Sequence, residues 1–449
     1  MRGVGRYALI VFEIAVLSTL ILATRCANYL DVFVAGNVYF TDADCYARMT
    51  RVRMCMEHPG LIVRHHNFEN FPQGTTPHTT APLDYLIVAL AVALKPLTAH
   101  AIDFAGAVVS PLLALIGGWF LWWWSRQMNF RYRWVMLMRW SAMSGIAWAL
   151  AVWVSAYESL VLFFIVLAVG LVRDRKRIFA KYRQSGWIWF ALVIAMVFLI
   201  ERRIPSFAIL PASTVFKNWS RTIGELAHVP PASPIWFVWA GYMIAVAPLL
   251  IWLGFWKKKS KSESAPVFVV VLLVATYCLT IWQARWAYFF LSIFAISLPT
   301  LLPPIRSRTA VCIAFVLSLF PILRDWDARV WPSEAEYARR IERRNESVQL
   351  RDLAVTLQSA ETRAFLAPWW LSPSIGYWSR QPAVAGSSHE SLPGIEESAR
   401  FFLSEDWQTA RKILDDRRVS WVIAYDFEGA TVSHLFRAER DQQTLPDDC

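Results

Sequence analysis

The chain has 449 residues and a formal net charge of +11; 56% of its residues are hydrophobic and 24 are tryptophan, and the mean hydropathy is +0.37. A soluble domain has no use for that much apolar surface, and the excess is gathered in long runs, which marks a membrane protein in contact with the lipid bilayer. The basic residues fall mostly between those runs and form no nucleic-acid motif, so they suit loops at a membrane face or a polyanionic lipid, and nucleic acid is excluded as a partner.

The first apolar run, 7–24, follows Arg2 and Arg6 and is succeeded by Arg25 and Cys26 rather than by a small-residue cleavage site, so it reads as a retained span. A helix needs about 20 apolar residues to cross, and about 17 can suffice. On that basis spans are predicted at 7–24, 104–124, 134–154, 160–172, 186–200, 235–256, 267–282, 286–302 and 309–323. A further run, 82–97, is ambiguous. If it crosses, Arg126, Arg131, Arg133 and the cluster Lys257, Lys258, Lys259 and Lys261 face outward. If it lies along the outer interface, every short basic loop faces inward, including Arg173, Arg175, Lys176 and Arg177. The excess of Lys and Arg on the inner side of membrane proteins selects the second arrangement. The prediction is therefore a polytopic α-helical membrane protein of about nine spans, with 82–97 as an interfacial or re-entrant helix.

The membrane domain covers residues 1–323, with long outer loops at 25–103 and 201–234. Residues 324–449 form a small extracytoplasmic α/β domain. There 364–366 and 421–425 read as short buried strands, and 396–403 and 407–415 as amphipathic helices. Six cysteines show no metal-ligand spacing; Cys26, Cys45 and Cys55 share the first outer loop, where a disulfide remains open.

Chemistry-bearing residues recur on the predicted outer side. The first loop carries Asp42 and Asp44 in Thr41-Asp42-Ala43-Asp44-Cys45-Tyr46. Hard cations take oxygen ligands, so such a pair suits Mg²⁺ or Mn²⁺, although the local sequence alone favours a solvated loop with a helix N-cap at Asp42 or Asp44. Next comes Gly74-Thr75-Thr76-Pro77-His78, ahead of Pro82-Leu83-Asp84-Tyr85. His78 is open between a substrate contact and a turn cap. Glu158 stands at the outer end of a span, where a carboxylate is costly unless it finds a partner or water. Glu225 follows Thr222 in Thr222-Ile223-Gly224-Glu225. Arg285 sits between two spans, placed either for bidentate contact with a phosphate or for interfacial anchoring beside Trp282 and Trp286.

In their order along the chain, these segments resemble the catalytic subunits of oligosaccharyltransferase, within the GT-C membrane glycosyltransferases. Asp44-Cys45-Tyr46 is similar to the family's Asp-x-Tyr, which implies that Asp44 binds the metal and the acceptor. Glu158 matches the second acidic motif, a metal ligand. Thr222-Ile223-Gly224-Glu225 is similar to the Thr-Ile-x-Glu motif of bacterial and archaeal members, whose Glu closes over the acceptor. Arg285 is placed like the arginine that meets the donor phosphates. Pro368-Trp369-Trp370, followed by Gly386-Ser387-Ser388-His389, resembles the start of the soluble domain at Trp-Trp-Asp. Leu371 stands where the family has that Asp, the arginine that usually precedes the second acid is replaced in Ala151-Val152-Trp153-Val154, and the spans are fewer.

The resemblance implies a polyprenyl-(di)phosphate sugar donor, a protein or glycan acceptor, Mn²⁺ or Mg²⁺ as cofactor, catalysis by Asp44 and Glu225, and a multi-pass position in a bacterial or archaeal plasma membrane with the catalytic face outside. Two alternatives stay open: a monosaccharide transferase of the same superfamily that uses a polyprenyl monophosphate, and a non-catalytic transporter or scaffold. Few polar residues lie in the spans, with Glu13 the main one, which weighs against a transporter.

Overall fold

The computed structural model describes residues 2–127, 133–178, 184–202, 214–256, 267–302, 307–359 and 361–424. The Lys257 cluster, Arg131 and the chain after residue 424 lie outside the described residues. The protein is mostly helical. Among the described residues, four helices are long and apolar enough to cross a membrane: Tyr7–Arg25, Ala101–Trp123, Gln184–Glu201 and Arg308–Val330. Shorter apolar helices occupy Ala81–Leu94, Ser144–Val154, Tyr157–Val169, Met243–Leu253, Val269–Trp282 and Ala284–Leu298. Each predicted span therefore falls on apolar helix.

The expected span 235–256 is two helices, Ile235–Ala240 and Met243–Trp256. The break is at Gly241, which has φ +68°, and a Cβ there would stand 2.0 Å from the Ser318 carbonyl oxygen. Only glycine fits both that backbone conformation and the close approach of the Arg308–Val330 helix. The last span is longer than its sequence reading, because that helix continues through Arg324 to Val330. The ambiguous run forms Ala81–Leu94, 14 residues with Pro82 in its first turn. At about 1.5 Å per residue it is roughly 21 Å long, short of the roughly 30 Å hydrocarbon core.

The chain divides into two compact units. The first comprises Met1–Ala156, Ser185–Trp219 and Glu336–Cys449. Its core joins the helix Ala43–Glu57 to the C-terminal segment: Tyr46, Met49 and Val52 pack in one cluster with Ile87, Phe365, Ile375, Tyr377 and Trp378. The C-terminal strands Ala364–Leu366 and Val419–Val422 pair in parallel, with Phe365 opposite Trp421. The helices Ser372–Ser379, Leu392–Leu403 and Trp407–Asp416 lie between them in sequence. In the same unit the helices Arg2–Arg25 and Ala101–Gln127 pack antiparallel. Trp119 Nε1 donates to Ser18 Oγ at 2.9 Å, and one helical turn further on Trp122 Nε1 donates to Glu13 at 2.9 Å. Glu13 also meets Arg126 at 3.3 Å, so the one acid of the first span is partnered.

The second unit comprises Tyr157–Gln184 and Ser220–Ala335. Its core is aromatic, with Trp236, Phe290 and Phe294 buried beside Met243, Leu250 and Leu273.

Candidate active site

In the first unit the two carboxylates of the opening loop have different roles. Asp42 caps the helix Ala43–Glu57: its Oδ1 accepts from the Cys45 backbone N–H at 2.8 Å. Asp44, two residues on, sits exposed in the first turn, and its side chain makes no hydrogen bond or ion pair among the described residues. Both carboxylates are exposed, and Asp44 is the one not committed to a cap. Burial pushes the Cys45 thiol up to about 12, and Asp42 adds to the effect. The five described cysteines are all free, including Cys26, Cys45 and Cys55.

The same helix anchors the loop. Arg48 meets Asp84 at 2.7 Å and Arg51 meets its other oxygen at 3.5 Å, which places the acid of the Ala81–Leu94 helix between two guanidinium groups. Arg53 donates to the Tyr377 carbonyl at 2.8 Å and stacks over that ring. Tyr46 lies edge-on to Trp378, with ring centroids 4.9 Å apart.

Residues 66–80 form an ordered loop, as their Gly, Pro and Thr content predicts. His66 and Thr75 pair backbone to backbone at 3.0 and 2.8 Å. Gly74 has φ +73°, and a Cβ there would lie 2.4 Å from the His66 carbonyl. The Phe71 N–H donates to the Ala383 carbonyl at 3.1 Å and the Ala383 N–H to the Phe68 carbonyl at 2.9 Å, which ties the loop to the C-terminal segment, and Arg417 Nη1 donates to Asn70 Oδ1 at 3.0 Å. Glu69 is buried beneath and is pushed up to about 7 by burial, with Arg51 opposing. His78 gives its backbone N–H to Glu390 Oε1, and its ring Nδ1 lies against the same oxygen. The His389 ring stands 4.8 Å from that of His78. Burial pushes Glu390 up, but the hydrogen bond and charge of His78, with the charge of His389, outweigh it and hold the carboxyl at about 2.

Trp369 and Trp370 are each part-exposed and pack edge to face, 5.8 Å apart, and Trp369 also lies against Trp219. The fully buried side chains nearby are Phe365, Leu366 and Ile375. Leu371 packs on the main core of the unit.

In the second unit Glu158, Glu225 and Arg285 belong to one end. Glu158 lies in the first turn of its helix with its side chain 11% exposed, and its Oε1 accepts from Arg285 Nη2 at 2.7 Å. Arg285 is carried by the turn Ala284–Trp286, fixed by the fully buried Trp286, which packs on Tyr157. Glu225 sits exposed on the turn Gly224–Leu226. That turn is joined to the arginine turn by a bond from the Ala284 N–H to the Ala227 carbonyl at 2.9 Å, and Val229 N–H reaches the Ile281 carbonyl at 3.1 Å. Thr222 precedes it, part-buried.

Sequence reasoning missed Glu390, Glu69 and Glu201. Glu201 is buried, accepts from Trp153 Nε1 at 2.8 Å and from the Ala81 N–H at 3.1 Å, and so holds the start of the Ala81–Leu94 helix. No local spacing signals Glu390, because its partner His78 is 312 residues away.

No protein-family model and no curated protein matches the sequence. The fold does match solved structures of the Archaeoglobus fulgidus oligosaccharyltransferase. The apo form aligns with a TM-score of 0.64 at 12% identity, over 95% of this chain and 71% of that one. The form tethered to an acceptor peptide containing the NVT sequon aligns at 0.61 and 13%, over 92% and 68%. The complex of the archaeal oligosaccharyltransferase AglB with an inhibitory peptide and a dolichol-phosphate aligns at 0.57 and 12%, over 92% and 69%. The chain has an oligosaccharyltransferase-like fold.

Proposed function

We propose that the protein is a membrane glycosyltransferase that moves a sugar or oligosaccharide from a polyprenyl-(di)phosphate donor to an acceptor at the outer face of the membrane. The observation that carries this reading is the Glu158–Arg285 pair, beside the Glu225 turn, on an oligosaccharyltransferase-like fold. A guanidinium held by a carboxylate at a span end is pre-oriented, and its planar fork suits phosphate oxygens. That a similar fold holds a dolichol-phosphate supports a lipid-linked donor.

In the reaction the bond from the sugar C1 to the donor phosphate oxygen breaks and its electron pair leaves with the phosphate. The acceptor nucleophile bonds to C1, and its proton passes to a carboxylate, with Asp44 and Glu225 as the proposed bases. Arg285 offsets charge on the leaving phosphate. The donor arrives activated, so no nucleotide-binding fold is needed. Asp44 fits a hard cation, Mn²⁺ or Mg²⁺, because its carboxylate is exposed and uncommitted. Such a cation, when bound, supplies further stabilisation of the leaving phosphate. Glu158 positions the guanidinium through its Oε1, and its role as a metal ligand, like that of Asp44, remains part of the proposal.

About nine spans, with Asp44, Glu158, Glu225 and Arg285 outside, complete the proposal. Antiparallel packing of the first span on Ala101–Gln127 supports it, since a crossing by 82–97 would make those two helices parallel.

A second reading, transfer of one sugar from a polyprenyl monophosphate onto a lipid or glycan, is favoured by Leu371. An apolar side chain packed on the core cannot accept the hydroxyl hydrogen bond of an Asn-x-Ser/Thr acceptor. Incubating the purified protein with polyprenyl-linked sugars and candidate acceptors, read by mass spectrometry, tests both. A sugar-modified acceptor that disappears with Asp44→Asn supports the proposal. No transfer from either donor class by folded protein overturns it.

A further inference from the structure

The loop end at His78 and the C-terminal turn at His389 and Glu390 place two imidazoles and a carboxylate together. We propose that His78, His389 and Glu390 form a divalent-cation site of the borderline class, Zn²⁺ above all, which fastens the first outer loop to the C-terminal segment. The three ligand atoms lie within 4.8 Å of one another. A four-coordinate zinc with bonds of about 2.0–2.2 Å holds its donors roughly 3.3–3.5 Å apart, so the closure required is on the order of an ångström. Both imidazoles have room for it, with side chains 46% and 26% exposed.

A second observation is that one oxygen of the carboxylate makes no hydrogen bond. The Glu390 side chain is only 9% exposed, and its Oε2 is buried without a hydrogen-bond partner. The His389 Nδ1 is 3.7 Å from that oxygen, beyond hydrogen-bond reach. A buried carboxylate oxygen with no donor is costly, and a cation aimed at it removes the cost. Oε1, already bonded by the His78 backbone N–H, fixes the carboxylate with Oε2 turned toward His389.

The donor set decides the metal. Imidazole suits Zn²⁺, Cu²⁺, Fe²⁺ and Ni²⁺, whereas Mg²⁺ and Mn²⁺ prefer oxygen-only sites. This site is therefore chemically distinct from the hard-cation role proposed for Asp44. It stands whether or not the chain transfers sugar. Three protein ligands leave a fourth position for water.

Asp44→Asn provides the background for the test, because it lacks the proposed hard-cation ligand. Chelator-stripped, full-length Asp44→Asn protein in detergent is titrated with Zn²⁺ against a fluorescent zinc indicator. One equivalent is expected. Adding His389→Gln or Glu390→Gln should weaken it by more than the roughly 10–100-fold lost with an outer-shell partner. No equivalent in the Asp44→Asn protein, or an equivalent unchanged in both double variants, overturns the proposal. Visible absorption of the Co²⁺-loaded chain with all three ligands intact gives a readout free of folding defects in the variants. The bands of four-coordinate Co²⁺ are expected, and an octahedral aquo-like spectrum overturns the site.

Discussion

Asp42 and Asp44 offer a paired test, because the structure assigns them different roles two residues apart. Asp42 Oδ1 caps the Cys45 N–H at 2.8 Å, while Asp44 is exposed and uncommitted. Asn caps a helix about as well as Asp, so Asp42→Asn loses only the favourable charge at the helix N-terminus, roughly 0.3–1 kcal/mol. Asp42→Ala also removes the cap, at about 1 kcal/mol with a range of roughly 0.5–2. Asp44→Asn sits in the same first turn and loses a similar dipole contribution, roughly 0.3–1 kcal/mol. The two Asn variants should therefore melt within a few degrees of each other. Their turnover should differ: removing a general base typically costs about 10²–10⁴-fold, and of these two aspartates Asp44 is the one proposed as a base. The assay is sugar transfer from a polyprenyl-linked donor read by mass spectrometry, with melting of each variant in detergent alongside. Excess acceptor should not rescue Asp44→Asn, because the amide keeps the shape and lacks the charge. Equal losses in the two Asn variants, or full metal-dependent activity in Asp44→Asn, would refute the assignment.

Arg285→Lys keeps the charge and loses the planar fork, so donor affinity should fall about tenfold, or ~1.4 kcal/mol, with a smaller change for the acceptor; donor and acceptor KM series check this. Glu69 is raised from 4.5 to about 7, chiefly by burial. A raised carboxyl contributes stability that is complete below its unfolded pKa and is lost as pH climbs through the folded one, here from about 4.5 to 7, worth at most about 3 kcal/mol. Glu69→Gln removes that loss, so the variant's melting temperature should gain on the parent's over this window, and parallel curves would contradict it. Phe365→Ala, at a fully buried site, should cost about 3–5 kcal/mol and Trp370→Ala clearly less, because that ring is part-exposed; thermal melts rank them. Cysteines placed at 257–264 should be labelled only from the inner side of intact cells, and outward labelling would sink the nine-span arrangement.

The helices were largely legible because their signal is local. An apolar run bounded by charge or proline specifies a membrane helix wherever it lies, and the amphipathic period of Trp407–Asp416 reads directly from the sequence. The strand at 364–366 was also visible as a short apolar run. What escaped was set by contacts distant in sequence. The break at Gly241 depends on how closely the Ser318 carbonyl approaches, and nothing within 70 residues of Gly241 announces it. The fully buried side chains of the C-terminal segment include Phe365, Leu366 and Ile375. The strand Ala364–Leu366 is buried throughout, whereas Trp369 and Trp370 stand just beyond it and stay part-exposed.

For the site, the sequence identified which residues carry charge and where, but not how each charge is used. Asp42 and Asp44 are chemically the same in the sequence; one backbone N–H, that of Cys45, makes the first a cap and leaves the second available. Glu158 and Arg285 were read apart, as a metal ligand and a phosphate clamp. Their 2.7 Å bond makes them a unit in which the acid aims the base. Removing Glu158 alone should then act through Arg285. A part-buried guanidinium deprived of its carboxylate turns to other acceptors, so Glu158→Gln should reproduce the donor-affinity loss of Arg285→Lys, and the double variant should lose less than the sum of the two. Strict additivity in that cycle would separate the two residues again and return Glu158 to an independent role at the metal.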